Sequence, residues 1–104
     1  MTRYPLYFKP GDDETRVFKY LDTGNAPVNI SGFTAVWSGT VGTTTVNISG
    51  TVDGVNGKVT VVATHAQTTS LGADSGNGTY ELKITSAGGQ ITTIAAGPLV
   101  ILTP

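Results

Sequence analysis

No cysteine occurs anywhere in the 104 residues, which removes disulfide frameworks, thiolate zinc sites and a cysteine nucleophile together. Burial alone is left to hold the fold. Charge is scarce too: Asp, Glu, Lys and Arg make up 12% of the chain against roughly 25% in an average soluble domain. Such a weakly charged surface suits one that meets neighbouring subunits, so assembly into a homo-oligomer is expected. The six Lys and Arg residues form no block, so the electrostatic footprint of a nucleic-acid binder is missing and no nucleic-acid partner is expected. The opening MTRYPLYFKPGDDE lacks a basic segment followed by a long apolar core. No run approaches the roughly 18 apolar residues a membrane helix needs. These absences point to a chain made in the cytoplasm with no membrane partner.

What is present is Thr, Val and Gly in short alternating runs. Thr79 to Thr85, TYELKIT, sets Tyr80, Leu82 and Ile84 against Thr79, Glu81, Lys83 and Thr85, the two-residue period of a half-buried strand. Phe33 to Val41 puts Phe33, Ala35, Trp37 and Val41 on one face, with Val36 the apolar exception on the other. Val46, Ile48 and Val52 alternate with polar residues across Gly50, where a bulge or bend is expected. Lys58 to Thr64 turns Val59, Val61 and Ala63 inward, and Thr15 to Asp22 turns Phe18 and Tyr20 to one face. Asp53-Gly54 and Asn56-Gly57 mark a hairpin between two of these strands. His65 to Leu71 breaks the alternation and reads as a helical turn with Thr64 as N-cap and Leu71 as apolar plug. Gly72 to Gly78 is small, polar and expected to be mobile. Gly97-Pro98 is expected to break the chain before Leu99 to Leu102. The first ten residues, with Pro5 inside an apolar-aromatic run, read as an edge strand or an ordered arm.

Together these give one all-β domain over residues 1–104: an Ig-like, two-sheet antiparallel β-sandwich of about seven or eight strands with one short helical turn.

Catalytic chemistry has little to build on, and no enzyme, cofactor or metal site is assigned. Gly11-Asp12-Asp13-Glu14 groups the carboxylates but matches no calcium loop, and reads as a solvated turn. His65 is the single histidine and is read as a helix-start residue. No glycine pattern cradles phosphate. Asn29, Asn47 and Asn77 open glycosylation-like triplets, which a chain this rich in Asn, Ser and Thr produces by chance. Among the aromatics, Tyr20, Trp37 and Tyr80 fall at inward positions, leaving Tyr4 and Tyr7 free. Tyr4, Leu6, Tyr7 and Phe8 are therefore the expected partner-binding residues, on an arm whose removal should leave the rest folded.

Four segments in order resemble small β-sandwich modules of tailed bacteriophages. They are DTGNAPVNISG from Asp22 to Gly32, GKVTV from Gly57 to Val61, THAQTTSL from Thr64 to Leu71, and GTYELKIT from Gly78 to Thr85 with Gly88 and Gly89. The chain is similar to the N-terminal domain of the siphophage baseplate upper protein and to related head and tail accessory modules. The loop from Gly72 to Gly78 is longer than in those modules, and the chain stops where a fibre or receptor-binding part often follows, which suggests a free-standing module. The resemblance implies a non-enzymatic structural protein of the virion, either a capsid decoration or head accessory subunit or a baseplate and tail module, with other virion proteins as partners. A carbohydrate-binding module recognising host polysaccharide is the alternative.

Overall fold

The computed structural model describes residues 2–3, 5–72 and 77–102. Its elements follow the apolar alternation closely. The first strands are β1 (Thr2–Arg3), β2 (Leu6–Phe8), β3 (Glu14–Lys19) and β4 (Thr34–Val41). They are followed by β5 (Thr44–Asp53), β6 (Lys58–Ala63), helix α1 (His65–Gly72), β7 (Gly78–Thr85) and β8 (Ile91–Ile101). On β4, β6 and β7 the inward positions are buried as the period demands: Ala35, Trp37 and Val41; Val59, Val61 and Ala63; Tyr80, Leu82 and Ile84. Val36 stays on the outer face. The hairpin joins β5 to β6 with Asp53 opposite Lys58, and Gly57 closes its loop at a φ of 63° that a side chain would strain. Trp37 is the anchor, stacked on Tyr80 with ring centroids 6.1 Å apart and packed on Phe8 at 5.6 Å.

The two-sheet antiparallel sandwich is corrected on two points. The hydrogen-bonded path is continuous, in the order β1-β8-β7-β4-β5-β6-β3, with β2 also on β8, so the chain forms one nearly closed sheet. Strand β5 makes this happen: its residues up to Gly50 pair with β4, while Thr51 to Asp53 pair with β6. Gly50 permits the turn-over, since a Cβ there would lie 2.6 Å from a Val59 methyl. The sheet is also mixed, because β1 and β2 run parallel to β8, with Thr2 opposite Ala95 and Leu6 opposite Leu99.

Gly97-Pro98 does not end a strand, and β8 passes straight through it. Between Arg3 opposite Ala96 and Leu6 opposite Leu99, the register places Pro5 opposite Pro98. Proline's missing N–H thus falls where β1 has ended and β2 has not begun, so no ladder bond is lost.

Helix α1 starts where expected. Gln67 Oε1 accepts from the Thr64 amide at 2.9 Å and Thr64 Oγ1 from the Gln67 amide at 3.4 Å, a reciprocal capping box. Leu71 is fully buried. Of the loop expected to be mobile, residues 73–76 lie outside the described residues.

Candidate functional site

The four residues expected to bind a partner are divided by the fold. Tyr4 lies outside the described residues. Leu6 and Phe8 are 4% and 1% exposed, inside the chain's own core, whereas Tyr7 is 50% exposed. Pairing on β8 is the reason: a strand laid on the sheet turns alternate side chains inward, and here the parity hands Leu6 and Phe8 to the core. As an outward-facing surface, then, Leu6 and Phe8 drop out and Tyr7 remains. Nor is the arm a removable appendage, because losing it would uncover Trp37.

The other edge of β2 faces β3, the far end of the sheet, and there side chains replace the backbone ladder. Phe8 O accepts from Leu102 N, the residue just after β8, so alternation turns Tyr7 O towards the opposite edge. Arg16 Nη2 donates to it at 2.7 Å. The Lys9 amide, two residues on and on the same edge, donates to Glu14 Oε2 at 3.0 Å. Arg16 and Glu14 contact each other at 3.5 Å, and the guanidinium sits 5.2 Å from the Phe8 ring centroid. The seam between the sheet's two ends is therefore latched by two charged residues on the inward side of the edge strand β3. Inward charges are also a device that discourages unwanted edge pairing. The expectation for Arg16→Met is a loss of about 1 kcal/mol, read as earlier denaturant unfolding and faster hydrogen exchange at the β2 amides than at β7. Unchanged exchange at β2 would rule the latch out. Sequence reading passed over this pair, although Glu14 and Arg16 share the strand face of Phe18.

Tyr7 belongs to an apolar strip on the outer face of the same strands. Its register partner Val100 is half-buried beside it, and exposed Pro5 and Pro98 and 42%-exposed Leu102 extend the strip. Next to it, the outer faces of β4, β7 and β8 form a shallow open depression of about 470 Å³, lined among others by Ser38, Thr40, Thr79, Glu81 and Pro98. This face is polar but almost uncharged, with hydroxyl pairs such as Thr40 and Thr45 at 3.1 Å and an exposed Lys83–Glu81 contact at 3.3 Å. A second cleft of about 330 Å³ lies between Lys19 to Asp22 and Thr92 to Ile94.

The acidic turn and the histidine meet at the start of α1. Asp13 Oδ1 accepts from the His65 amide at 2.6 Å and contacts His65 Nδ1 at 3.1 Å. The amide bond, then the ring contact, hold the Asp13 carboxyl below its ordinary pKa. Because the folded pKa is the lower one, the stabilisation is complete above the ordinary aspartate value. It falls away as pH drops from there to the depressed value, and is absent below it. Acid titration of wild type and Asp13→Asn should show a steeper loss of stability in wild type over that window; identical slopes would contradict the cap. Asp13 thus serves the helix, and Glu14 the seam. Among the described residues no group of three or more His, Cys, Asp or Glu side chains gathers as a metal site would require, and no helix is long and apolar enough to cross a membrane.

Beneath this cap lies Thr68, the one buried polar side chain among the described residues. Its Oγ1 accepts from the Gly11 amide at 3.1 Å and lies 2.8 Å from Asp12 O and 3.2 Å from His65 O. The turn between β2 and β3 is thereby pinned to α1. Only the three-dimensional contact reveals this, since a threonine in a Thr-rich helix carries no sequence signal.

No family model matches the sequence, and no curated protein is significantly similar to it. In structure the chain is similar to the N-terminal domain of phage TP901-1 ORF48, 12% identical with a TM-score of 0.56, over 97% of this chain and 98% of that one. It is similar as well to the extracellular domain of the voltage-gated sodium channel beta4 subunit, 10% identical with a TM-score of 0.58, over 100% of this chain and 94% of that one. A putative glycoside hydrolase from Bacteroides vulgatus matches at 12% identity and a TM-score of 0.51, but this chain spans only 17% of that one. These likenesses establish a shared β-rich fold.

Proposed function

We propose that the chain is a non-enzymatic structural subunit of a tailed-phage particle, seated on other virion proteins through the outer face of β2 and β8. The observation that carries this reading is the end-to-end match with a phage protein's N-terminal domain, 97% of one chain against 98% of the other. It agrees with the four sequence segments that resemble baseplate and accessory modules. The baseplate likeness of those segments is the ground for proposing a tail or baseplate position rather than the capsid. The strip of Pro5, Tyr7, Pro98, Val100 and Leu102 supplies the apolar centre such a contact needs, and the nearly uncharged Ser/Thr face beside it supplies a polar rim. The sugar-binding alternative has less support, because Tyr7 is the one largely exposed aromatic side chain among the described residues.

The test is to locate the protein in separated heads and tails by mass spectrometry, for wild type and for Tyr7→Asp. The wild-type chain should appear in tails. Tyr7→Asp should fold normally, with an unchanged melting temperature, and be depleted from particles. Absence of the wild-type chain from particles, or undiminished incorporation of Tyr7→Asp, would sink the proposal.

A further inference from the structure

We infer that the N-terminal arm, β1 with β2, binds a second copy of this chain by strand exchange, and that helix α1 is the clasp deciding which copy's β8 it serves. This deepens the docking reading above and rests on it only in taking the arm as a docking element. Leu6 and Phe8 already fill the core beside Trp37, so the arm's inward face has one kind of receptor: the slot it now occupies, in this copy or in another.

The contacts of the arm are suited to exchange. They run in parallel register to Ala95, Ala96 and Leu99 to Ile101, at the opposite end of the chain. Every one of them is reproduced unchanged if β8 belongs to a second copy. The seam latch is preserved as well in its Arg16 half, because that copy's Arg16 meets the incoming Tyr7 carbonyl. What differs between closed and exchanged forms is the linker alone, which is the condition under which swapping an element costs least.

That linker, Lys9 to Asp13, is where the structure spends its specific contacts. Gly11 takes a φ of 90°, and Pro10 sits where a Gly72 side chain would be, its Cγ 2.6 Å from that position. Thr68 Oγ1 holds Gly11 N and Asp12 O, and Asp13 holds the His65 amide. Straightening the linker breaks these bonds and leaves the buried Thr68 hydroxyl with His65 O. The clasp therefore favours the closed form in dilute solution. High local concentration, as between neighbours in an assembly, favours the exchanged one.

Tyr7 and Val100 are register partners on the outer face, and the chain has no native cysteine. The double variant Tyr7→Cys/Val100→Cys therefore reports directly which copy the arm occupies. Isotope-labelled and unlabelled chains are incubated together at low and high protein concentration, oxidised, and the linkage between positions 7 and 100 is assigned by mass spectrometry. The closed form gives links within one chain; exchange gives mixed-isotope links whose share rises with concentration. Adding Thr68→Val should raise that share about tenfold at a given concentration, the effect of losing one buried hydrogen-bond set. Asp13→Ala, at an exposed side chain, should act in the same direction and serves if Thr68→Val does not fold. Links confined to single chains at every concentration in all backgrounds overturn the exchange. A mixed share unmoved by both clasp variants overturns the role of α1. Exchange in the cysteine variant while the wild-type chain never enters particles would sink the proposed function and leave this inference standing; incorporation of the wild-type chain, with links in the variant only within chains, would do the reverse.

Discussion

Phe8→Ala is expected to lower the free energy of unfolding by about 3–5 kcal/mol, the cost of emptying a fully buried aromatic site. The ring is 1% exposed and packs 5.6 Å from Trp37, while the Arg16 guanidinium loses the face it lies over. Tyr7→Ser, one residue away on the opposite face of β2, should stay within about 0.5 kcal/mol of wild type, as exposed substitutions do. Denaturant midpoints at constant slope measure both. Equal, small effects would mean that the arm does not belong to the core. By the same argument, deleting residues 1–8 is not a neutral truncation: it removes Leu6 as well as Phe8 and strips both β1 and β2 from the edge of β8.

Gly78→Ala is expected to cost more than about 3 kcal/mol, an overpacking effect at the upper end of its range. A Cβ at this position would run into the Thr40 carbonyl oxygen and stand 2.9 Å from Val41 Cα. Both obstacles are backbone of β4, which is held by β5 on one side and β7 on the other, so neither can move aside as a side chain would. Gly88→Ala is the control, since its Cβ would find its nearest neighbour 3.9 Å away, at Ser86 Oγ. Thermal melts of the two variants should separate clearly. A Gly78→Ala protein as stable as Gly88→Ala would show that β7 does not enter the sheet against β4 as described.

These two substitutions show how differently two sequence features had to be read. The glycine before Tyr80 was visible as part of a family-like motif, but its reason, backbone against backbone at the crossing of β4 and β7, was not. For the arm, the edge-strand reading was legible from Pro5 and the apolar run. The burial of Leu6 and Phe8 in the chain's own core is not legible there, because a two-residue period names two faces without saying which one the neighbour covers.

The same limit separates the rest of the fold. Alternation and turn chemistry, which are local, determined the β class, the inward residues of β4, β6 and β7, the hairpin at Gly57, and the N-cap and plug of α1. Tertiary structure alone decided the continuous mixed sheet, the passage of β8 through Gly97-Pro98, the Arg16–Glu14 latch and the grip of Thr68 on the linker. All but the latch, whose longest contact runs from Tyr7 O to Arg16, join residues distant in the chain: Arg3 with Ala96, Tyr7 with Val100, Gly11 with Thr68. Such pairings depend on which strand edge is left open once the others have closed, and no local period records that.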